Sequence, residues 1–152
     1  MARTIVVGVG NPILGDDAVG ILVVRELKNR SKDFDIVIEE AYTGGLNLLD
    51  IIVGYDRAIL VDAISLPDKK IGEVLLLDPK EIPSAHSTNP HNVSLKEALN
   101  IAARIKDWVI PERIDLVAIN IKPTFDFSSE LSPEVEKAIP KAISQVLELL
   151  SG

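Results

Sequence analysis

The chain has 152 residues, a hydrophobic fraction of 47%, a formal net charge of −7 and no cysteine. This length is typical of one domain with a sizeable core, so we predict a single domain over residues 1–152. The lack of cysteine excludes disulfides, thiolate metal ligands and a cysteine nucleophile, and the negative charge disfavours nucleic acid as a partner. No apolar run approaches the ~20 residues of a membrane helix. Because no signal peptide precedes the first predicted strand, we expect no membrane insertion and a cytoplasmic location.

The N-terminal part of the chain predicts a strand, a glycine-rich turn and a helix. A β-branched run at residues 4–7 predicts a buried strand. A helix is predicted at residues 18–28, and the turn before it ends in Asp16 and Asp17. Helix capping is the structural explanation for this pair, since aspartate is a good N-cap and complements the helix dipole.

The same turn does not fit a nucleotide-binding loop. Its third glycine comes too late for the dinucleotide pattern G-x-G-x-x-G, and Asp16-Asp17 replace the lysine and the hydroxyl residue of a P-loop. Free N–H groups at a helix N-terminus attract anions, but two carboxylates at that position repel phosphate. The turn is therefore better suited to a cation, and a nucleotide-binding domain is disfavoured.

The rest of the chain alternates between strands and helices. Further strands are predicted at residues 35–40, 57–62, 73–77 and 113–121. Further helices are predicted at residues 46–53, after a capping box at Ser94 with apolar positions up to Ile105, and from Ser132-Pro133 to the C-terminus. This alternation predicts an α/β three-layer sandwich, a mostly parallel, twisted five-stranded sheet with helices on both faces. The strand at 73–77 is expected to be antiparallel, because the preceding connection is short for a crossover helix.

Acidic side chains follow the first three predicted strands, at the carboxyl edge where ligands bind in such folds. They are Asp16, Asp17, Glu40 and Asp62. Two carboxylates and an imidazole can bind a divalent transition metal, so Asp17 and Asp62 with one histidine from the irregular segment 78–92 form a candidate site. Each also has an ordinary alternative, because Asp62 can cap a turn and a loop histidine can be an exposed surface residue.

Nucleophilic catalysis by a side chain is disfavoured. The chain lacks the pattern G-x-S-x-G, has two histidines and has no cysteine. If the protein hydrolyses a bond, a water activated by a carboxylate or a metal is the natural nucleophile.

Four segments resemble the NiFe-hydrogenase maturation proteases. The turn at residues 8–20, GVGNPILGDDAVG, is similar to the N-terminal signature of that family. Residues 40–46 resemble its acidic residue followed by Thr-x-Gly, Val61-Asp62-Ala63 resembles its Asp-Ala strand end, and Pro90-His91-Asn92 resembles its histidine segment before a helix. The likeness covers essentially the whole domain.

The resemblance implies an endopeptidase that removes a C-terminal extension from the hydrogenase large-subunit precursor after nickel insertion. It implies that Asp17, Asp62 and His91 are the catalytic and metal-contacting residues. The nickel is then carried by the precursor, and the resting protease needs no metal of its own. Two positions depart from the family pattern, since Asp17 is often glutamate there and Glu40 is often aspartate. His86 matches no motif and is expected at the surface.

A non-catalytic nickel-binding chaperone or binding module for hydrogenase assembly is the alternative function. Such a protein would use the same acids but would leave the precursor uncut. The way in which a protease would break the peptide bond stays open at this level. Nickel could polarise the scissile carbonyl, activate water, or serve only to dock the precursor.

Overall fold

The computed structural model describes residues 3–42, 46–79, 95–122 and 130–152. Within these residues, five strands form one sheet in the order β2-β1-β3-β5-β4. They are β1 (Thr4–Val9), β2 (Ile36–Ala41), β3 (Arg57–Ile64), β4 (Val74–Leu77) and β5 (Arg113–Asn120). All neighbouring strands pair in parallel except β4, which runs antiparallel to β5. The predicted sheet, including its antiparallel fourth strand, is confirmed.

In the described part of the chain, one short 3₁₀ helix and four α-helices connect and follow these strands. They are the 3₁₀ helix (Gly15–Ala18), α1 (Val19–Arg30), α2 (Leu46–Ile52), α3 (Leu95–Ala102) and α4 (Pro133–Ser151). The prediction that α3 extends to Ile105 is wrong. After Ala102 the chain tightens into bonds between residues three apart, and Asp107 has a left-handed φ of 74°. The capping box at Ser94 lies outside the described residues.

The helices cover both faces of the sheet, as the three-layer prediction requires. Helices α1 and α4 pack with Val6, Ile59 and Val117 in one buried cluster. Helices α2 and α3 pack with Ile5 and Leu60 in the other. Because side chains of a strand alternate between faces, a strand with both faces covered is apolar throughout. None of the helices in the described ranges is long and apolar enough to cross a membrane.

Two glycines let α1 lie directly against the sheet. A Cβ on Gly20 would lie 2.3 Å from the carbonyl oxygen of Val61 and 2.6 Å from that of Val9. A Cβ on Gly8 would lie 2.4 Å from the carbonyl oxygen of Gly20. The start of α1 is therefore wedged between β1 and β3. These strands continue to opposite sides of the sheet, so this is the switch point at which open α/β sheets bind ligands.

Candidate functional site

The glycine-rich turn folds back on itself at the carboxyl end of β1. The N–H of Gly10 donates to the carbonyl of Ala41 at 3.0 Å, which extends the pairing with β2. The side-chain oxygen of Asn11 accepts the N–H of Ile13 at 3.1 Å, as in a short asparagine turn. A Cβ on Gly10 would lie 2.2 Å from the carbonyl oxygen of Asp17, so the two ends of the turn are in backbone contact.

Asp17 is held by this turn. Its Oδ2 accepts the N–H of Asn11 at 2.9 Å, and its own N–H donates to the carbonyl of Leu14 at 3.0 Å. The side chain is half-buried. The carboxylate is thus anchored to the start of the turn.

Asp16 has a different partner, far away in the sequence. Its Oδ1 accepts the N–H of Ser132 and its Oδ2 accepts the hydroxyl of the same serine, each at 2.7 Å. The N-cap residues of the 3₁₀ helix and of α1 are Leu14 and Ala18, and neither makes a side-chain capping bond. The prediction that one of these aspartates is the N-cap of the helix that follows is therefore wrong, because Asp16 bonds to the start of α4. Both aspartates do lie in the first turn of the 3₁₀ helix, where acidic side chains complement the helix dipole.

Asp62 lies within β3 rather than at its end. The strand was predicted to stop at Asp62, but its pairing with β5 continues through Ile64. Asp62 is half-buried, and its Oδ1 accepts the N–H of Ala63 at 2.7 Å. The 3₁₀ helix carrying Asp17 contacts β3, and Gly20 touches Val61, the residue before Asp62. The fold thus brings the elements that carry Asp17 and Asp62 together at the switch point.

Glu40 is part of an ion pair at the same edge. Arg25 donates to it from Nε at 3.0 Å and from Nη2 at 2.9 Å, and the hydroxyl of Tyr42 donates at 2.9 Å. The hydrogen bonds from Arg25 are the main cause that lowers the pKa of Glu40, and the same bonds raise the pKa of Arg25. Glu40 is therefore an ionised carboxylate whose charge is compensated within the protein.

The third predicted ligand, His91, lies outside the described residues, as does His86. Within the described ranges, no group of three His, Asp or Glu side chains is placed to hold a metal ion. The two described candidates, Asp17 and Asp62, supply carboxylate oxygens, which suit divalent metals. His91 as a ligand stays a prediction.

Comparison with known proteins decides the family. A family model described as HycI, hydrogenase maturation protease, matches residues 21–149. The chain belongs to the hydrogenase maturation protease family. This match begins after the glycine-rich turn, so it supports the resemblance independently of the motif that first indicated it.

Individual members of the hydrogenase maturation protease family agree with this assignment. The Escherichia coli hydrogenase 2 maturation protease is 31% identical over 151 residues, which cover 97% of this chain and 90% of that protein. The solved structure of the hydrogenase maturating endopeptidase HybD from E. coli has a TM-score of 0.79 at 28% identity, covering 98% of this chain and 92% of that one. The maturation protease HycI from Thermococcus kodakarensis KOD1 has a TM-score of 0.70 at 25% identity, covering 99% and 94%. As a member of this protease family the protein is a hydrolase, an endopeptidase.

Three residues of the carboxyl edge were not foreseen from the sequence in the roles they take. Ser132 was predicted only as the start of the last helix, and no partner was predicted for Arg25. Asn120 is fully buried, and it accepts the N–H of Leu66 and donates to carbonyls in the β3–β4 connection. Its Nδ2 lies within 3.0–3.2 Å of the carbonyl oxygens of Leu66, Lys69 and Lys70. The only local signal for Asn120 is a polar residue at the end of an apolar strand.

Proposed function

We propose that the protein removes a C-terminal extension from a NiFe-hydrogenase large-subunit precursor after nickel has been inserted. The observation that carries this proposal is the folded turn that anchors Asp17 beside the strand bearing Asp62. Both acids lie at the switch point of the mostly parallel sheet, which is where open α/β sheets bind their ligands. The names of the relatives, which are maturation proteases of hydrogenases, support a hydrogenase precursor as the substrate.

In this proposal Asp17, Asp62 and His91 contact the nickel that the precursor presents. Carboxylate oxygen and imidazole nitrogen are both suitable ligands for nickel. The metal is part of the substrate, and it reports that the precursor is ready for processing. The acidic character of the site suits a cation delivered by another protein, because the carboxylates attract it before contact.

Hydrolysis in this proposal uses water. The chain has no cysteine, and no serine lies in a G-x-S-x-G context. Water adds its oxygen to the scissile carbonyl carbon, the C–N bond breaks, and the leaving amine takes a proton. A carboxylate at the site is a suitable acceptor for the proton of the attacking water.

The decisive experiment compares one precursor in two metal states. The nickel-loaded precursor and the same precursor stripped of nickel are incubated with the protein, and intact mass is measured. We expect the mass of the extension to be lost only from the nickel-loaded form. Equal cleavage of both forms would contradict nickel recognition. If nickel-loaded precursor is bound but never cut, the non-catalytic binding module becomes the better description.

A further inference from the structure

The bond between Asp16 and Ser132 connects the end of the glycine-rich turn to the C-terminal helix. The two residues are 116 positions apart, and both oxygens of Asp16 are used, one for the N–H and one for the hydroxyl of Ser132. Both side chains are half-buried. Ser132 is the N-cap of α4 but makes no side-chain capping bond of its own, because its hydroxyl is directed to Asp16.

We propose that Asp16 is a positioning residue that holds Asp17 in place by fastening the 3₁₀ helix to the start of α4. This inference rests on the proposed function for its kinetic consequence. Asp16 and Asp17 are consecutive residues of one 3₁₀ turn, Gly15–Ala18, so a displacement of the backbone at Asp16 also displaces the backbone at Asp17. The bond to Ser132 joins the 3₁₀ helix to α4, and the bond between Asn11 and Asp17 joins it to the start of the turn.

A role for Ser132 in stabilising α4 alone is the competing explanation. The serine carbonyl accepts the N–H groups of Val135 and Glu136 at 3.1 and 3.0 Å, so Ser132 already starts the helix through its backbone. If the bond to Asp16 served only α4, its loss would loosen residues 132–136 and lower the amount of folded protein. If the bond positions Asp17, its loss must also loosen the contact between Asn11 and Asp17.

The first test measures amide hydrogen exchange in the protein without precursor. Asp16→Ala and Ser132→Ala are compared with Ser132→Thr, which retains both donors. Glu134→Gln is the matched control, since Glu134 is an exposed acid of the first turn of α4. We expect Asp16→Ala and Ser132→Ala to speed exchange at the amides of Asn11 and Asp17, and Ser132→Thr and Glu134→Gln to leave both amides as in the wild type. Faster exchange confined to residues 132–136 would overturn the proposal.

The second test measures processing of the nickel-loaded precursor. A displaced Asp17 weakens the nickel contact, so KM should rise, by about 10-fold for Asp16→Ala and by about 5-fold for Ser132→Ala, which loses one hydrogen bond. Loss of folded protein alone would lower the apparent kcat and leave KM unchanged. Asp16→Asn retains an oxygen for the N–H of Ser132 and should restore part of the affinity.

The double variant Asp16→Ala/Ser132→Ala completes the test. If Ser132 acts through Asp16, the double variant should have the KM of Asp16→Ala, because the shared contact is already lost. The proposal would be overturned if the fold-increases in KM of the two single variants multiply in the double variant. It would also be overturned by a wild-type KM in both single variants. If the wild-type protein itself leaves the nickel-loaded precursor uncut, the proposed function fails. The exchange experiment then decides the role of Asp16 alone.

Discussion

The four carboxylates at the carboxyl edge of the sheet differ in their bonding partners. Asp16 is bonded to Ser132, and Glu40 is bonded to Arg25 and Tyr42. Asp17 accepts the backbone N–H of Asn11, and Asp62 accepts that of Ala63. A carboxylate that is paired with an arginine is already charge-compensated, so it is a poorer partner for an incoming cation. Glu40, paired with Arg25, is therefore a poor candidate for a nickel ligand.

The first prediction concerns the proposed ligands themselves. Asp17→Asn, Asp62→Asn and His91→Gln preserve size but remove a charge or an imidazole. Each should slow processing of the nickel-loaded precursor by more than the roughly 10–100-fold that residues behind metal ligands contribute. Asp50→Asn, at an exposed position of α2, is the control and should process at the wild-type rate. Circular dichroism and thermal unfolding check that each variant is folded. Wild-type rates in all three variants would show that the site is wrongly assigned.

The second prediction concerns the ion pair of Glu40. Hydrogen bonds from Arg25 lower the pKa of Glu40 in the folded protein, whereas unfolded glutamate has a pKa of about 4.3. The stabilisation from ionised Glu40 is therefore fully present above about pH 4.3 and is lost as the pH falls through the lowered folded-state pKa. Because Arg25 is half-exposed, we expect Glu40→Gln to cost only about 0.2–1 kcal/mol at neutral pH.

Unfolding of the wild type and of Glu40→Gln, measured by denaturant titration from neutral pH down to roughly pH 2.5, tests this expectation. The difference between the two proteins should be largest at neutral pH and should shrink at the acid end. Glu39→Gln, at the exposed neighbouring position of β2, is the matched control and should show no such change of the difference with pH. A difference that is constant across this range would exclude ionisation of Glu40 as its source.

The unit of β1, the glycine-rich turn and α1 depends on close backbone contact. Gly20 stands in the first turn of α1 and touches the carbonyl oxygens of Val9 and Val61. Both contacts are backbone atoms of central strands, which cannot move without disturbing the sheet pairing. The position of the 3₁₀ helix, and with it that of Asp17, thus requires a residue without a Cβ at Gly20.

The third prediction compares two glycine substitutions. Gly20→Ala gains about 1 kcal/mol of helix propensity, but overpacking against the backbone typically costs about 1–3 kcal/mol, and here the approach is only 2.3 Å. We expect a net loss of stability together with slower processing. Gly54→Ala has open space around its Cβ and a φ of +89°, so it should cost about 1–2 kcal/mol of conformational energy. Processing should not change in the Gly54 variant. Equal processing rates for both variants would contradict the role given to Gly20.

At the scale of the whole molecule, the strand order decides where the site lies. β1 has β2 on one side and β3 on the other, so the connection after β1 and the carboxyl half of β3 meet at one point. Asp17 comes from the first of these elements and Asp62 from the second. The bond to Ser132 adds α4, so three distant parts of the chain define one edge. The remaining partner in the proposed function is the precursor with its nickel.

The fourth prediction separates a metal of the substrate from a resident metal of the protease. The protein is treated with EDTA, freed of chelator by gel filtration, and mixed with nickel-loaded precursor. Because the required metal arrives with the precursor, processing should match that of protein treated with buffer alone. A loss of activity that added zinc or nickel restores would show that the protease needs its own metal.

The sequence by itself determined the elements and the family. Alternating apolar strands and helices predict an α/β sandwich, and glycine spacing, paired aspartates and the segment around Asp62 indicate a maturation protease. These signals are local, because periodicity, turn chemistry and motif spacing act over a few neighbouring residues. The position of Asp17 in the turn after β1 follows from the same local pattern.

Only the tertiary structure decided which partners the polar residues take. Asp16 was interpreted as a local cap but bonds to a serine 116 residues away, and Glu40 pairs with an arginine 15 residues away. β3 extends past Asp62 because β5 supplies pairing partners as far as Ile64. Asn120 donates hydrogen bonds to carbonyl oxygens of the β3–β4 connection, because the fold packs that connection against it. Hydrogen bonds between distant residues depend on how helices and strands pack, and local sequence patterns do not encode that packing.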